Sequence, residues 1–145
     1  MKKTVLFAVL VVCLVFTFAC KSQPTAKSAG DQLKDAYDRY RAGLILDGAE
    51  KYTVKEGDTL SAIARAKYPN AFYFPLIQMA SSNVISDPDV IEIGDVLTIP
   101  NLDKNLNDAK AKDNIKKFLM EVSKIEDGRG RPADAQGLKD LSNSL

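Results

Sequence analysis

The sequence predicts an α+β protein built around a βααβ unit at residues 52–101, with a two-stranded antiparallel sheet, two helices on one of its faces, and flanking N- and C-terminal amphipathic helices. Three observations predict this class. Apolar residues recur at helical spacing before residue 50, and from Tyr52 the period changes to two, as in a half-buried strand. A Gly57-Asp58-Thr59 turn then introduces a second helical pattern. A short alternating stretch that ends at Pro100 supplies the closing strand.

The first nineteen residues have the pattern of a signal peptide. Lys2 and Lys3 precede an uninterrupted run of apolar or small residues from Thr4 to Ala19, which is the arrangement of a secretory signal. The run is short for a bilayer-spanning helix, which needs ~20 apolar residues, and a polar stretch follows it at once. We therefore predict a signal peptide at residues 1–19 and a mature protein outside the cytoplasm. A retained membrane helix is the alternative.

Cys20 lies directly after this segment and is the predicted lipidation site. The preceding Thr17-Phe18-Ala19 resembles the processing site of bacterial lipoproteins, where a small residue stands before the cysteine. That resemblance implies that Cys20 is acylated and anchors a membrane lipoprotein that faces the periplasm or the cell wall. The number of cysteines supports acylation of Cys20. Because Cys13 lies in the removed segment, Cys20 has no cysteine to pair with, and an unpaired cysteine in a secreted protein needs a role. Residues 20–30 are then the lipidated cysteine and a polar, flexible tether.

Composition narrows the classes of function. Removal of the two N-terminal lysines takes the basic count from 20 to 18, against 19 acidic residues, and this balance argues against a nucleic-acid partner. The chain has no histidine, which excludes Ser-His and Cys-His nucleophiles and the usual zinc ligands of hydrolases. No segment outside residues 52–101 is long enough for a catalytic domain with paired carboxylates. We therefore predict no enzyme activity, metal or cofactor, which leaves a binding protein or a lipid-anchored scaffold.

The segment 31–48 is predicted to form an amphipathic helix. Ser28 and Asp31 have the spacing of a capping box at its start, and Gly48 is the expected stop. Its apolar side chains recur every three to four residues, at Leu33, Tyr37, Tyr40 and Leu44. This stripe predicts a face that packs against the rest of the chain.

Inside the central unit each element has its own signal. Gly57 ends the first strand, and one of the two residues after it caps a helix that stops before Tyr68-Pro69. A second helix is predicted from Phe74 or Pro75 to Ser81, because proline is tolerated in a first helical turn. We expect the aromatic side chains of this region to pack in the core rather than stack on a ligand, namely Tyr68, Phe72, Tyr73 and Phe74.

The C-terminal segment, residues 104–145, is predicted to be helical. A long helix over 105–127 places apolar side chains along one side and favourable i,i+4 pairs outside, at Asp108–Lys112 and Asp113–Lys117. The stretch 127–137 is predicted to be a loop before a short last helix. We expect the flanking helices to dock on the central unit, which alone buries little core. The alternative is that the long helix binds a protein partner.

The central unit carries an ordered set of residues: Tyr52-x-Val54, Gly57-Asp58-Thr59-Leu60, Ile63-Ala64, Asp87-Pro88-Asp89-x-Ile91, Gly94, Leu97 and Ile99-Pro100. In order and spacing this set resembles a LysM domain, a module that binds peptidoglycan or chitin through N-acetylglucosamine. The resemblance implies a non-catalytic glycan-binding protein of the bacterial cell envelope. Two positions depart from the family: Ser81 stands where an asparagine is usual, and Ile93-Gly94-Asp95 replaces Pro-Gly-Gln. We expect both near the glycan groove.

The resemblance also implies that the groove lies between the turn 57–60 and the loop 83–88. The predicted glycan-binding residues are Gly57, Asp58, Thr59, Leu60, Asn83, Val84, Ile85, Asp87 and Pro88. An acetylated amino sugar presents polar groups and one apolar face. The glycine lets the backbone approach closely, the helix start offers free N–H groups, and the second loop gives an uncharged wall. A purely structural reading stays open for each, as a turn glycine, helix caps and turn-forming aspartates.

Overall fold

The computed structural model describes residues 27–85 and 89–145. In chain order the elements are helix α1 (Ala29–Tyr40), strand β1 (Glu50–Thr53), helices α2 (Leu60–Lys67) and α3 (Phe74–Ala80), strand β2 (Val96–Ile99), and helices α4 (Leu102–Asn107), α5 (Ala109–Gly128) and α6 (Pro132–Ser144). Within the described ranges, no helix has the length and apolar content needed to cross a membrane. The predicted signal peptide, Cys20, most of the tether, Asp87 and Pro88 lie outside the described residues.

The two strands form the predicted antiparallel sheet, which confirms the α+β class. Tyr52 lies opposite Leu97 in the ladder, and the amide of Val54 extends the pairing by donating to the carbonyl of Asp95 at 2.9 Å. Along β2 the side chains alternate as predicted, because Leu97 and Ile99 are buried while Val96 is exposed. The buried side of β2 packs against α3, and α3 in turn packs against α2.

The N-terminal helix is shorter than predicted at its C-terminal end. Ser28 caps α1 as expected, since its Oγ accepts a hydrogen bond from the amide of Asp31 at 3.1 Å. The helix starts at Ala29, inside the predicted tether, and gives way after Tyr40 to a short 3₁₀ turn at Arg41–Gly43. The expected helix to residue 48 does not form because the chain there bonds elsewhere. Asn105 accepts from the Ile45 amide and donates to its carbonyl, both at 2.8 Å.

The C-terminal segment differs from the prediction in two places. The expected single helix over 105–127 is divided into α4 and α5 at Asp108, whose carboxylate accepts hydrogen bonds from the amides of Lys110 and Ala111 at 2.9 and 2.8 Å. Asp108 is therefore the N-cap of α5 and not the partner of Lys112. As a cap it accepts hydrogen bonds from backbone amides of the first turn, which would have no acceptor if Asp108 formed an exposed ion pair instead. The predicted pair of Asp113 with Lys117 is confirmed, with 2.6 Å between Oδ2 and Nζ.

Most of the stretch 127–137 is helical and not the predicted loop. Helix α6 begins at Pro132, whose missing N–H costs nothing in a first turn. The link between α5 and α6 is therefore only residues 129–131, and the two helices pack closely side by side. Two buried serine hydroxyls bind across them: Ser123 Oγ donates to the carbonyl of Ala135 and Ser142 Oγ donates to that of Lys116.

One hydrophobic core joins the βααβ unit to the flanking helices. Leu33 of α1, Leu76 of α3, Leu97 of β2 and Phe118 of α5 are all buried in the same cluster. The Tyr37 hydroxyl, on α1, donates to Oε1 of Gln78, on α3, at 3.0 Å. The flanking helices thus dock on the central unit as expected. The apolar face of α5, which suggested a protein partner, is covered by other parts of the same chain.

Candidate functional site

A cavity of about 320 Å³ opens beside the start of α2. The described residues that line it come from the first turn of α2, from α3, from the residues just before β2, and from the α5–α6 link with the adjoining turns of both helices. From the central unit the cavity is lined by Asp58, Thr59, Leu60, Phe74, Val90 and Ile91, and from the C-terminal segment by Glu126, Arg129, Arg131 and Asp134. Three residues predicted for the first side of the groove, Asp58, Thr59 and Leu60, thus line this cavity, and its other walls come from residues outside the prediction.

The turn before α2 is built by local hydrogen bonds. Gly57 has a φ of +82°, which favours glycine over residues with a Cβ. Asp58 Oδ2 accepts from the Lys55 amide and from the Tyr52 hydroxyl, both at 2.8 Å. The hydrogen bond from the Lys55 amide has the larger effect and that from the Tyr52 hydroxyl the next largest. Together they hold the pKa of the Asp58 carboxyl below its usual value. Asp58 thus closes the turn.

Thr59, and not Asp58, caps α2. Its Oγ1 accepts a hydrogen bond from the Ala62 amide at 3.2 Å. The first amides of a helix have no intrahelical acceptor, and this helix starts at the cavity, where Thr59, Leu60 and Ser61 all form part of the wall. The start of α2 therefore offers hydrogen-bond donors to a molecule in the cavity.

The predicted second side of the groove is only partly described. Asn83 and Val84 are exposed, and Ile85 is buried in the core. None of these three lines the cavity, so the side chain of Ile85 does not form the expected wall. Asp87 and Pro88 are outside the described residues.

Apolar contact in the cavity comes from residues that the sequence reasoning did not assign to the site. Val90 is 51% exposed although it is aliphatic, and it lies beside the partly buried Ile91 and Phe74. The sequence feature that could have indicated this wall is the alternation of apolar and polar residues in the stretch 89–94, which places an apolar side chain at residue 91. These apolar side chains thus line the same cavity as the start of α2.

The two departures from the family pattern do not line the cavity. Ser81 is completely buried, and its Oγ accepts a hydrogen bond from the Thr98 amide at 2.8 Å. It therefore joins the end of α3 to β2, and the expectation that it lies at the groove is wrong. Gly94, with a φ of +97°, forms the turn into β2, where Asp95 Oδ2 accepts from the Glu92 amide at 2.9 Å.

Charged residues of the C-terminal segment form the third wall. Arg129 and Arg131 both bind the carboxylate of Asp89, Arg131 through Nη1 to Oδ1 at 3.0 Å. Both also bind Glu126, a carboxylate that is only 4% exposed, with 2.9 Å from Arg129 Nη1 to Oε1. Burial by itself raises the pKa of Asp89, but its hydrogen bonds to the two guanidinium groups outweigh burial and hold this pKa below its usual value. The network ties the α5–α6 link to the residues before β2.

Residues 52–100 match the LysM domain family. The chain is 37% identical over 75 residues to the N-acetylmuramoyl-L-alanine amidase XlyA of Bacillus subtilis, 50% identical over 56 residues to the esterase Rv1288 of Mycobacterium tuberculosis, and 40% identical over 63 residues to the potassium binding protein Kbp of Escherichia coli.

These alignments cover 52%, 39% and 43% of the present chain but only 24%, 12% and 42% of those relatives. The chain therefore shares with them a part of each protein and not its full length. No solved structure matches the chain at a significant level. The strand order, the turn at Gly57 and the family match agree, and residues 52–100 of this chain are a LysM domain.

Proposed function

We propose that this protein binds the N-acetylglucosamine-containing glycan of peptidoglycan without cleaving it, as a lipid-anchored protein of the bacterial cell envelope. LysM domains generally bind glycans of this type. The observation that carries the proposal is the cavity that the first turn of α2 lines together with the apolar side chains of Val90 and Ile91.

The two sides of the cavity suit the two kinds of surface on an acetylated amino sugar. The acetamido group has a carbonyl that accepts hydrogen bonds, which the first amides of α2 at Leu60 and Ser61 supply. Its methyl group and the ring face are apolar, and Val90 and Ile91 give them a small uncharged surface. Chitin offers the same chemistry and is the related glycan that the domain would also accept.

The lipid anchor completes the proposal because one small site binds weakly. A shallow site for one or two sugars has a Kd of about 1 μM to 1 mM, or roughly −8 to −4 kcal/mol. Acylation at Cys20 would hold the domain within a short tether of the membrane, and a high local concentration of glycan then converts weak contacts into stable bridging. The signal peptide at residues 1–19 and the lipidated cysteine are parts of this proposal that rest on the sequence pattern.

Binding without catalysis is supported by the chain's chemistry. It contains no histidine, and the relatives named as an amidase and an esterase are much longer than the part they share with it. The competing proposal is a lipid-anchored envelope scaffold whose LysM domain binds a protein partner or no sugar. It is weakened because the apolar face of α5 is already buried within the chain.

Co-sedimentation with purified sacculi tests the proposal. Val90→Asp places a charge on the apolar wall at an exposed position, and we expect it to weaken retention about tenfold, which corresponds to ~1.4 kcal/mol. The matched control is Ile93→Asp, because Ile93 is also an exposed aliphatic side chain of the LysM domain but does not line the cavity. The proposal fails if the wild-type chain stays in the supernatant, or if both variants are retained equally.

A further inference from the structure

We propose that the α5–α6 link adds a charged end to the glycan groove, which binds the peptide-bearing sugar of peptidoglycan and so selects this polymer over chitin. Arg131 is assigned to a ligand carboxylate and Asp134 to a ligand ammonium group. The inference rests on the proposed function, because it concerns the neighbouring part of the same cavity.

The cavity lining contains two chemically distinct groups of residues. Leu60 and Val90 belong to the LysM domain and are apolar, and the carboxylates that this domain adds to the lining, Asp58 and Asp89, are already held by hydrogen bonds within the chain. The charged end contains Arg129, Arg131 and Asp134, which lie outside that domain. Because Asp89 binds both arginines, the charged end is held in place against the LysM domain. A glycan chain seated at the start of α2 would therefore have charged groups beside it.

The two arginines are not equivalent. Arg129 has a side chain only 14% exposed, and its two Nη atoms are occupied by Glu126 and Asp89. Arg131 is 44% exposed and uses only Nη1, toward Asp89 and Glu126. Its Nε and Nη2 make no hydrogen bond to any described residue. These two atoms form one edge of the guanidinium group, which is the geometry that binds a carboxylate through two parallel hydrogen bonds.

Asp134 is the matching acid. It is half-buried in the first turn of α6 and lines the cavity. Its carboxylate makes no ion pair within the described residues, whereas Asp89 and Glu126 are both paired with arginine and Asp58 is engaged by Tyr52 and Lys55. A carboxylate in this position favours a cationic group of the ligand.

Only one of the two candidate glycans carries such groups. Chitin is a polymer of N-acetylglucosamine and has no ionised substituent. In peptidoglycan every second sugar bears a lactyl carboxyl group extended by a peptide, which contributes carboxylates and amines. A site with Arg131 and Asp134 therefore gains affinity only from the second polymer. The LysM end alone would bind both equally.

Titration calorimetry of the full chain, kept in mild detergent, tests this selection. The two probes are chitotetraose and a peptidoglycan tetrasaccharide that carries its peptide stems. We expect the wild type to bind the peptide-bearing ligand about fivefold more tightly, since charge-assisted hydrogen bonds are roughly twice as strong as neutral ones. In Arg131→Gln and in Asp134→Asn the ratio should fall toward one, because the affinity for the peptide-bearing ligand falls. Arg131→Lys should keep part of the preference for the peptide-bearing ligand, because lysine retains the positive charge. It should not keep all of it, because lysine lacks the planar guanidinium group that binds a carboxylate through two hydrogen bonds.

Arg39→Gln is the matched control, because Arg39 is also an exposed arginine in an ion pair but lies away from the cavity. Equal affinity of the wild type for the two ligands, or a preference that persists in both variants, overturns the inference and leaves the proposed function intact. If Arg131→Gln lowers the melting temperature and loses both ligands while Asp134→Asn keeps the wild-type ratio, the charged end is only structural. If neither ligand binds the wild type, the proposed function fails and this inference with it.

Discussion

The LysM domain and the C-terminal segment are built in different ways. The domain has strands of four residues and helices of eight and seven residues, joined by turns that local hydrogen bonds define. The C-terminal segment has helices of 20 and 13 residues that pack along their length. The domain thus carries the recognisable loops, while the long helices contribute much of the buried apolar surface. A unit of this size without disulfides gains stability from such docking.

The buried aromatic side chains illustrate the difference. Phe118 of α5 is completely buried, and its ring lies 6.0 Å from that of Tyr37 and 5.7 Å from that of Tyr40, both on α1. In the LysM domain Tyr68 and Tyr73 form an edge-to-face pair at 5.7 Å, which confirms the expectation that these two residues pack in the core. The large aromatic contact of the helices therefore lies outside the family-defining residues.

The strongest test of this comparison is Phe118→Ala. Removal of a fully buried phenylalanine should destabilise the chain by about 3–5 kcal/mol. Because the LysM domain shares its core with α5, we expect the domain to unfold in the same transition. Thermal unfolding followed by circular dichroism and by the NMR amide signals of Thr53 and Leu97 measures both regions.

Val96→Ala is the control, since Val96 is an exposed aliphatic side chain on β2 and its truncation removes little buried surface. The expectation of a single unfolding transition is contradicted if the amide signals of β1 and β2 persist above the melting temperature of the helices. That result would show a domain that is stable without its flanking helices.

A pair of glycine substitutions sharpens the comparison at the contact between the two regions. A Cβ on Gly137 of α6 would lie 2.1 to 2.5 Å from ring atoms of Phe72, whereas a Cβ on Gly128 of α5 meets nothing within 4 Å. We expect Gly137→Ala to destabilise by about 1–3 kcal/mol through overpacking. Gly128→Ala should be neutral or stabilise by up to about 1 kcal/mol, because alanine restricts the unfolded chain. Equal effects in urea denaturation would contradict the tight contact.

The smallest expected effect is the pH dependence of the ion pairs that join the regions. The pKa of Asp89 is lowered in the folded chain, so its stabilising contribution is present above its unfolded pKa of about 3.9 and is lost as the pH falls through the lower folded value. Because Asp89 is partly exposed, Asp89→Asn should lower the melting temperature at pH 7 by only about 2–4 °C. The difference from the wild type should shrink as the pH falls below the unfolded value and disappear once the pH is below the lowered folded pKa.

Asp47→Asn is the matched comparison, because Asp47 also binds a basic side chain, Lys104, but is far more exposed. We expect it to change the acid limb of the stability curve less than Asp89→Asn does. The opposite order would indicate that the network around Asp89 does not tie the α5–α6 link to the LysM domain.

The elements of the LysM domain were predictable because their signals are local. Thr59 lies three residues from the amide it caps, Gly57 adopts the positive φ of its turn, and the alternation at Leu97 and Ile99 reports burial directly. The helix breaks were less predictable. Asp108 could cap a helix or pair with Lys112, and only the packing of α4 against residues 44–46 decides between them.

The cavity was predictable on one side only. Thr59 and Leu60 line it as expected, but Arg131 reaches it across 42 residues of sequence, through Asp89. Neither the periodicity nor the spacing of residues in the sequence predicts a contact between residues so far apart along the chain. Ile85, by contrast, is predicted for the wall because the resemblance places the groove at the loop 83–88 and its side chain is uncharged, whereas the structure buries it in the core.

By itself the sequence determined the strand–helix–helix–strand order, the cap of α1, the LysM resemblance and the absence of histidine chemistry, because each depends on residues that are close along the chain or on composition. The tertiary structure alone decided that α1, α5 and α6 share the core of the LysM domain and that charged residues of the α5–α6 link line the cavity beside it. Those features arise when distant apolar faces are buried together, and the resulting juxtaposition of Asp89 with Arg129 and Arg131 is a consequence of that packing.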